Sequence, residues 1–371
     1  MRLRTVLATA TAGLAAATCL TAAGPATAVS TGTTNSRTSN ACSSAVSIDR
    51  FSDALDKTTY DGTFVGNFSA LALDRDGSLA ALEDRSSLFD LNAKTLQPKR
   101  VVHLADENGA DLDSEGLVVD LPHARTDSRG GTPTATLLIT SETEPSIRRY
   151  SRDGRILDRL PVPSSLLVAP AGRASSNLTF EGLTLLPGGR TLLASMEGPI
   201  AGDTSGAVRF QTWTRTKGDH FRLAAQYAYK PDASFLGVPE VQALPDGRLL
   251  VLERGFTSGV GNTVRLYLAD PRHATDTSGI DHLTGRPGVR LIKKTLLADI
   301  ADCPSLGATA KQPQPNPLLD NIEGMVITGR EKGAYKVLLV SDDNQNAVQT
   351  TRFYYLRVRT TPAFRSSEAR G

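Results

Sequence analysis

The chain is poor in histidine, poorer in cysteine, and lacks a long apolar run after its first 28 residues. The five histidines, at 103, 123, 220, 273 and 282, lie outside the patterned stretches described below. No Gly-x-Ser-x-Gly, His-Glu-x-x-His or Gly-rich Lys-Ser/Thr loop occurs. A Ser-His hydrolase, a zinc-helix protease and a P-loop nucleotidase are therefore left without their motifs. Without a downstream stretch of about 20 apolar residues there is no candidate membrane span. Strong charge of either sign is missing too. With the first 28 residues set aside, the 41 Lys and Arg fall to 39, equal to the 39 Asp and Glu. That balance argues against nucleic acid or an anionic membrane surface as the partner.

What is present begins with a leader. Met1-Arg2-Leu3-Arg4 is basic, an Ala- and Leu-rich stretch follows, and Ala26-Thr27-Ala28 supplies small residues for cleavage. Residues 1–28 read as a secretory signal peptide, which makes the protein secreted and extracellular. Residues 29–45 are Ser, Thr, Asn and Gly with little to bury, a disordered linker, and 361–371 form a flexible tail. Cys19 leaves with the signal, so Cys42 and Cys303 remain as one pair for an oxidising compartment.

Between linker and tail, residues 46–360 show short apolar runs punctuated by Gly and Pro, and no long amphipathic helix pattern. One phrase recurs: an acid enters an apolar run, a glycine turn follows, and a second apolar run ends in another acid. It reads Glu115-Gly116-Leu117, Phe180-Glu181-Gly182-Leu183, Glu240-Val241-Gln242 and Ile322-Glu323-Gly324-Met325, with a degenerate copy at Phe68-Ser69-Ala70-Leu71. Repeat starts near 69, 115, 181, 240 and 323 fit four-stranded blades of about 40 to 60 residues around a channel. The expectation is an all-β propeller of six blades, with five as the alternative; the sixth unit would lie around Val264–Leu297. Polar or Pro/Gly-rich insertions at His123–Thr132, Ser164–Ser176, His273–Arg286 and Ser305–Pro317 should be loops. Strand Arg352–Val358 is placed to close the ring with Ala45–Phe51. A closed propeller has no open edge to cover, which favours a monomer.

An antiparallel hairpin returns to the end it left, so both acids of each repeat belong on one face of the ring. Glu115, Glu181, Glu240 and Glu323 would converge at the channel mouth, facing the second-strand acids Glu83, Glu142, Glu197, Glu253 and Asp342. Four carboxylates about 6 Å apart repel by roughly 3 kcal/mol per pair at an effective dielectric of 20. Such a cluster needs protons, Arg or Lys partners, or a cation, and oxygen ligands in an exported protein favour calcium. Equally, each Glu can accept hydrogen bonds from a neighbouring blade and act as a staple. The last repeat adds Asp342-Asp343-Asn344, suited to a cation, a hydroxylated ligand or an Asx turn. Glu197, Glu253 and Arg254 occupy comparable places, Arg254 being the candidate anion binder. No residue stands out as a nucleophile.

With Asp113-Ser114-Glu115-Gly116-Leu117, Asn177–Leu183 and Asp320-Asn321-Ile322-Glu323-Gly324-Met325 followed by Leu339–Asn344, the chain resembles the secreted phytase-like family labelled "esterase-like activity of phytase". The resemblance runs from about Val65 to Val358 and departs from the pattern at Ser69 and at Glu240-Val241-Gln242. It implies a β-propeller, export, and a calcium-dependent hydrolase of small-molecule phosphoesters or carboxylic esters, with calcium and Arg254 neutralising a phosphate. A calcium-dependent lactonase of gluconolactonase type and a non-catalytic binding propeller are the alternatives.

Overall fold

The computed structural model describes residues 40–121, 134–203, 206–216 and 219–360. Except for the small hairpin Thr58–Tyr60 with Thr63–Val65, all of the described strands fall into five four-stranded antiparallel sheets. Their inner strands are Phe68–Leu73, Ser114–Asp120, Phe180–Leu185, Gly237–Ala243 and Ile322–Glu331, in blades 1 to 5. These strands pack cyclically, each against the next and the last against the first, which makes the sheets a propeller ring. Inner strands are buried on both faces, as their near-continuous apolar runs require; outer strands such as Ile156–Arg159 alternate between half-buried and exposed residues.

The ring closes with five blades, the smaller of the two counts. Val264–Leu297 does not form a sixth unit. Gly261–Asp270 and Lys293–Asp299 are the third and outermost strands of blade 4, separated by a long connection that contains the 273–286 insertion. Insertions 164–176 and 305–317 are also connections, the former with one short 3-10 turn, while 123–132 lies outside the described residues. So do the leader, the tail and the linker up to residue 39.

Closure joins the two ends of the described chain. Val46–Ser52 is the outermost strand of blade 5 and pairs antiparallel with Phe353–Val358, Val46 opposite Val358 and Phe51 opposite Tyr354. Asn40–Ala45, assigned to the linker by composition, are tied in just before that strand. Ser43 donates to the Leu297 carbonyl at 2.6 Å, and Cys42 forms a disulfide with Cys303 across a sequence separation of 261. Closing so long a loop contributes on the order of 5 kcal/mol in the chain-entropy account.

The core consists of apolar seams between adjacent blades. Phe68, Phe89 and Phe353 meet edge to face between blades 1 and 5, with centroids 5.8 and 6.0 Å apart. Phe180 and Trp213 fill the seam between blades 2 and 3, and Phe210, Tyr229 and Tyr267 that between blades 3 and 4. The Glu-Gly dipeptide belongs to these seams. A Cβ on Gly116 would lie 2.7 Å from the Leu183 Cβ, and one on Gly182 would lie 2.6 Å from the Val241 nitrogen. Each glycine therefore lets its inner strand approach the next one more closely than any side chain permits.

Candidate functional site

The dipeptide's other half points elsewhere because each inner strand is bulged at its start. Register slips between Phe68 and Ala70, Ser114 and Leu117, Phe180 and Leu183, Gly237 and Glu240, and Ile322 and Gly324. A bulge re-aims a side chain out of the pleat. Counting from the pairs Ala70–Leu82, Glu240–Leu252 and Gly324–Val340, the bulge residue is Ser69, Pro239 or Glu323, and the residue two beyond on the second strand is Asp84, Arg254 or Asp342. In blades 2 and 3 the same places hold Glu115 with Glu142 and Glu181 with Glu197. One repeated hydrogen bond holds the second place, its backbone N–H donating to a carbonyl ahead of the bulge. Asp84 donates to Asn67 at 3.0 Å, Glu142 to Asp113 at 2.8 Å, Glu197 to Thr179 at 2.6 Å and Asp342 to Asn321 at 2.9 Å.

All residues at these two places except Ser69 and Pro239 line a cavity of about 480 Å³ at one mouth of the channel. Glu115, Glu181, Glu323, Glu197, Arg254, Asp342 and Asn344 are among its walls, joined by Asp84, Asp113 and Glu142. The far mouth is aliphatic, lined by Leu71, Val119, Leu185 and Ile327 among others. Among the described residues, eight carboxylates and a single cation, Arg254, thus face one cavity. Oxygens of Asp113, Glu115 and Glu142 lie within 4.8 Å of one another, as do those of Glu142, Glu181 and Glu197, so two groups sharing Glu142 can hold a metal ion.

Crowding and burial act together on these acids. Burial, reinforced by the neighbouring carboxylates, pushes Glu142 up to about 8 and Asp342 to about 7. Glu323 rises to about 8 through burial even though Arg254 opposes the shift. Asp84 rises to about 7, and burial drives Glu115 and Glu181 well above the usual carboxylate range, Glu115 with help from Glu323 and Glu142 and Glu181 with help from Glu115 and Glu197. Arg254 Nη2 donates to Glu323 Oε1 at 2.5 Å and lies 3.6 Å from Glu197 Oε1. Burial works against its charge, but Glu323, Glu197 and Glu181 more than offset this and hold it protonated. Its Nε–H has no hydrogen-bond partner.

Three expected site residues are elsewhere. Glu240 is fully buried between inner strands, where its Oε1 accepts from the Val241 N–H at 2.7 Å. Aligned on the hairpins, it occupies the place of Gly182 rather than Glu181, and one residue along a strand turns the side chain to the other face. Glu253 likewise precedes the cavity position filled by Arg254. It accepts from Tyr229 Oη at 2.6 Å and the Asp232 N–H at 3.0 Å, and is ion-paired with Lys294. Asp343 is paired with Lys57 and accepts from the Asn67 N–H at 3.1 Å, locking blade 5 to the start of blade 1. Sequence reasoning missed Asp84, Asp113, Asn177 and Asn321 as cavity residues. Asp84 was findable by counting outward from the Asp76-Gly77 turn instead of stopping at Glu83. Asn321, whose Nδ2 donates to Glu323 Oε1 at 3.0 Å, carries no signal of its own.

Comparison with known proteins gives one family and two distant likenesses. No curated protein sequence matches the chain. Among solved structures it is similar to the glutaminyl cyclase of Myxococcus xanthus, at 12% identity and a TM-score of 0.41 over 85% of this chain and 96% of that one. It is also similar to the WD40 repeats of RRP9, at 9% identity and a TM-score of 0.37 over 85% and 98%. Neither likeness is near enough to bear on function. The family model described as "Phytase-like: Esterase-like activity of phytase" matches residues 63–345, from the hairpin before blade 1 through the inner strands of blade 5. On a match of that extent, which includes every wall of the cavity but Gln349, the chain belongs to this phytase-like family.

Proposed function

We propose that the protein is a secreted, calcium-dependent hydrolase of small phosphoesters, acting at the carboxylate-lined mouth of the propeller. The observation that carries this reading is the convergence of eight carboxylates and one guanidinium on a single cavity. Two carboxylates about 5 Å apart repel by roughly 3 kcal/mol at an effective dielectric of 20. Arg254 alone cannot neutralise eight of them. The donor set is all oxygen, anionic and held by backbone on several blades, which fits a hard divalent cation and calcium in particular. Asp113, Glu115, Glu142, Glu181 and Glu197 would hold it. Calcium bound there supplies positive charge against the phosphoryl oxygens and polarises the phosphorus centre. Arg254 is fixed by Glu323 and Glu197 with its side chain 18% exposed, and a guanidinium facing the cavity suits the oxygens of a phosphate, which favours phosphoesters over carboxylic esters. Asp342, with a pKa raised to about 7, can hold or release a proton at neutral pH, the property a general acid or base needs. Export is supported by the basic, Ala-rich leader 1–28 and by the Cys42–Cys303 disulfide.

Calorimetry with calcium on the wild type and on the Glu181→Gln/Glu323→Gln variant tests this, with hydrolysis of p-nitrophenyl phosphate, p-nitrophenyl acetate and gluconolactone measured on the same samples. Calcium binding and phosphate-ester turnover should be lost together in the variant. Lactone turnover in place of both esters would move the assignment to a lactonase. A wild type that binds no calcium and turns over nothing would make the glutamates blade staples and the protein a binding module.

A further inference from the structure

The cavity wall is polar except at two places, both of them exposed, as Asn177 and Asn344 also are, whereas six of its eight acids are buried. Phe256 is 51% exposed and Leu178 is 37% exposed, the only large apolar residues of the described chain that are exposed and also line the cavity. Phe256 follows Arg254 by two residues on strand Leu249–Thr257, so the two side chains share a face and stand about 7 Å apart along the strand. Its cross-strand partner is Asn262, another wall residue, whose N–H donates to Gln314 Oε1 at 2.7 Å. Leu178 lies three residues before Glu181 and is held against Gly198, whose N–H donates to the Leu178 carbonyl at 3.2 Å. Most of the acids are therefore inside, with the guanidinium half-buried among them, and an aromatic and an aliphatic side chain stand beside two asparagines at the rim. A polyphosphorylated polyol would leave both rim residues in water and offer several dianions to one arginine.

From this arrangement we infer that the preferred substrate is a phosphate monoester of an apolar, aryl- or alkyl-bearing alcohol, with Phe256 and Leu178 forming the seat for the alcohol portion. The inference rests on the phosphoester reading above and adds the leaving-group subsite to it. The phosphoryl group enters between Arg254 and the carboxylates, and the apolar portion remains at the rim. In the reaction a water oxygen forms the new bond to phosphorus while the bond to the alcohol oxygen breaks. The alcohol oxygen takes a proton, so that ester dianion and water give alcohol and hydrogen phosphate with no other reactant. An aromatic contact of this kind discriminates by about tenfold.

The test compares 2-phenylethyl phosphate with glycerol 1-phosphate in saturating calcium. Both are esters of alkyl alcohols of similar acidity, so the ratio of their kcat/KM reads the seat rather than leaving-group chemistry. The wild type should favour the phenylethyl ester by about tenfold or more, Phe256→Ser should bring the ratio within about twofold of one, and Phe256→Tyr should keep it. Because Phe256 is half exposed, these variants should melt with the wild type, and a shared melting temperature checks that. A wild-type ratio near one, or the same ratio in Phe256→Ser, overturns the seat and leaves the hydrolase reading standing. If neither ester is turned over, the hydrolase reading fails, and binding of 2-phenylethylphosphonate against methylphosphonate decides the seat. Tighter binding of the former that is lost in Phe256→Ser supports it; equal binding, or none, overturns it.

Discussion

At the scale of single residues, a one-place offset decides what a carboxylate does. Glu181 and Glu240 read alike in the sequence, each an acid before an apolar run and a Leu-Pro turn. Glu181 sits on the bulge and lines the cavity, whereas Glu240 sits one place on, with its Oε1 satisfied by Val241 N–H. The two should respond oppositely to substitution. Burial holds the Glu181 carboxyl protonated where the unfolded chain ionises it, so Glu181→Gln removes that penalty and should raise the melting temperature in chelator at neutral pH, while weakening calcium binding by at least tenfold. Glu240→Gln keeps an acceptor for Val241 and should leave calcium affinity unchanged, while Glu240→Ala strands that buried N–H and should cost about 1–3 kcal/mol in urea unfolding. The same offset separates Glu253 from Arg254 and Glu83 from Asp84. No residue-type rule distinguishes them; only the register does.

At the scale of the element, the Glu-Gly pair is one device with two outputs. The bulge turns the glutamate toward the channel, and the missing Cβ lets the neighbouring inner strand close in. Gly182→Ala would press a Cβ against the Val241 and Glu240 backbone, neither of which can swing away as a flexible side chain would. We expect a loss of about 1–3 kcal/mol in denaturant unfolding, together with weaker calcium binding, because the displaced strand carries Glu181. A purely local defect would lower stability and spare the affinity. The closing strand Val46–Ser52 offers a second test. Replacing Cys42 and Cys303 by Ser frees the arm that precedes it and should cost about 2–5 kcal/mol, read as a lower urea midpoint, with the β-sheet circular dichroism spectrum retained at low temperature.

At the scale of the whole molecule, the ring concentrates charge that no single blade would tolerate, and this makes stability depend on pH and calcium together. In the metal-free protein Asp84 and Asp342 have pKa values raised to about 7, and Glu142 and Glu323 to about 8, above the values of the unfolded chain. The folded state thus holds protons that the unfolded state releases. That contribution is full below about pH 4 and is lost as pH rises through 7 to 8. In chelator the urea midpoint should therefore fall from pH 5.5 to pH 8.5. In excess calcium the fall should vanish or reverse, because the cation replaces protons more readily as they leave. A midpoint that fell equally with and without calcium would mean the cluster is not a cation site. Much of this molecule was legible from its residues alone. The repeats, the Gly turns and the absence of helical periodicity specify a propeller, because alternation and turn chemistry are local properties of neighbouring residues. The cysteine pair was legible by elimination, only two cysteines following the leader, and the closing strand from the way propellers join their ends, not from any local signal. The blade count and the membership of the cavity were decided only by the tertiary structure. Val264–Leu297 joined blade 4 because a long connection can pass between two strands of one sheet without changing their pairing. Asp84, Arg254 and Glu142 meet at one mouth, and Glu240 does not, because bulges set side-chain direction and bulges arise from how strands pair across a sheet rather than from the order of residues along one.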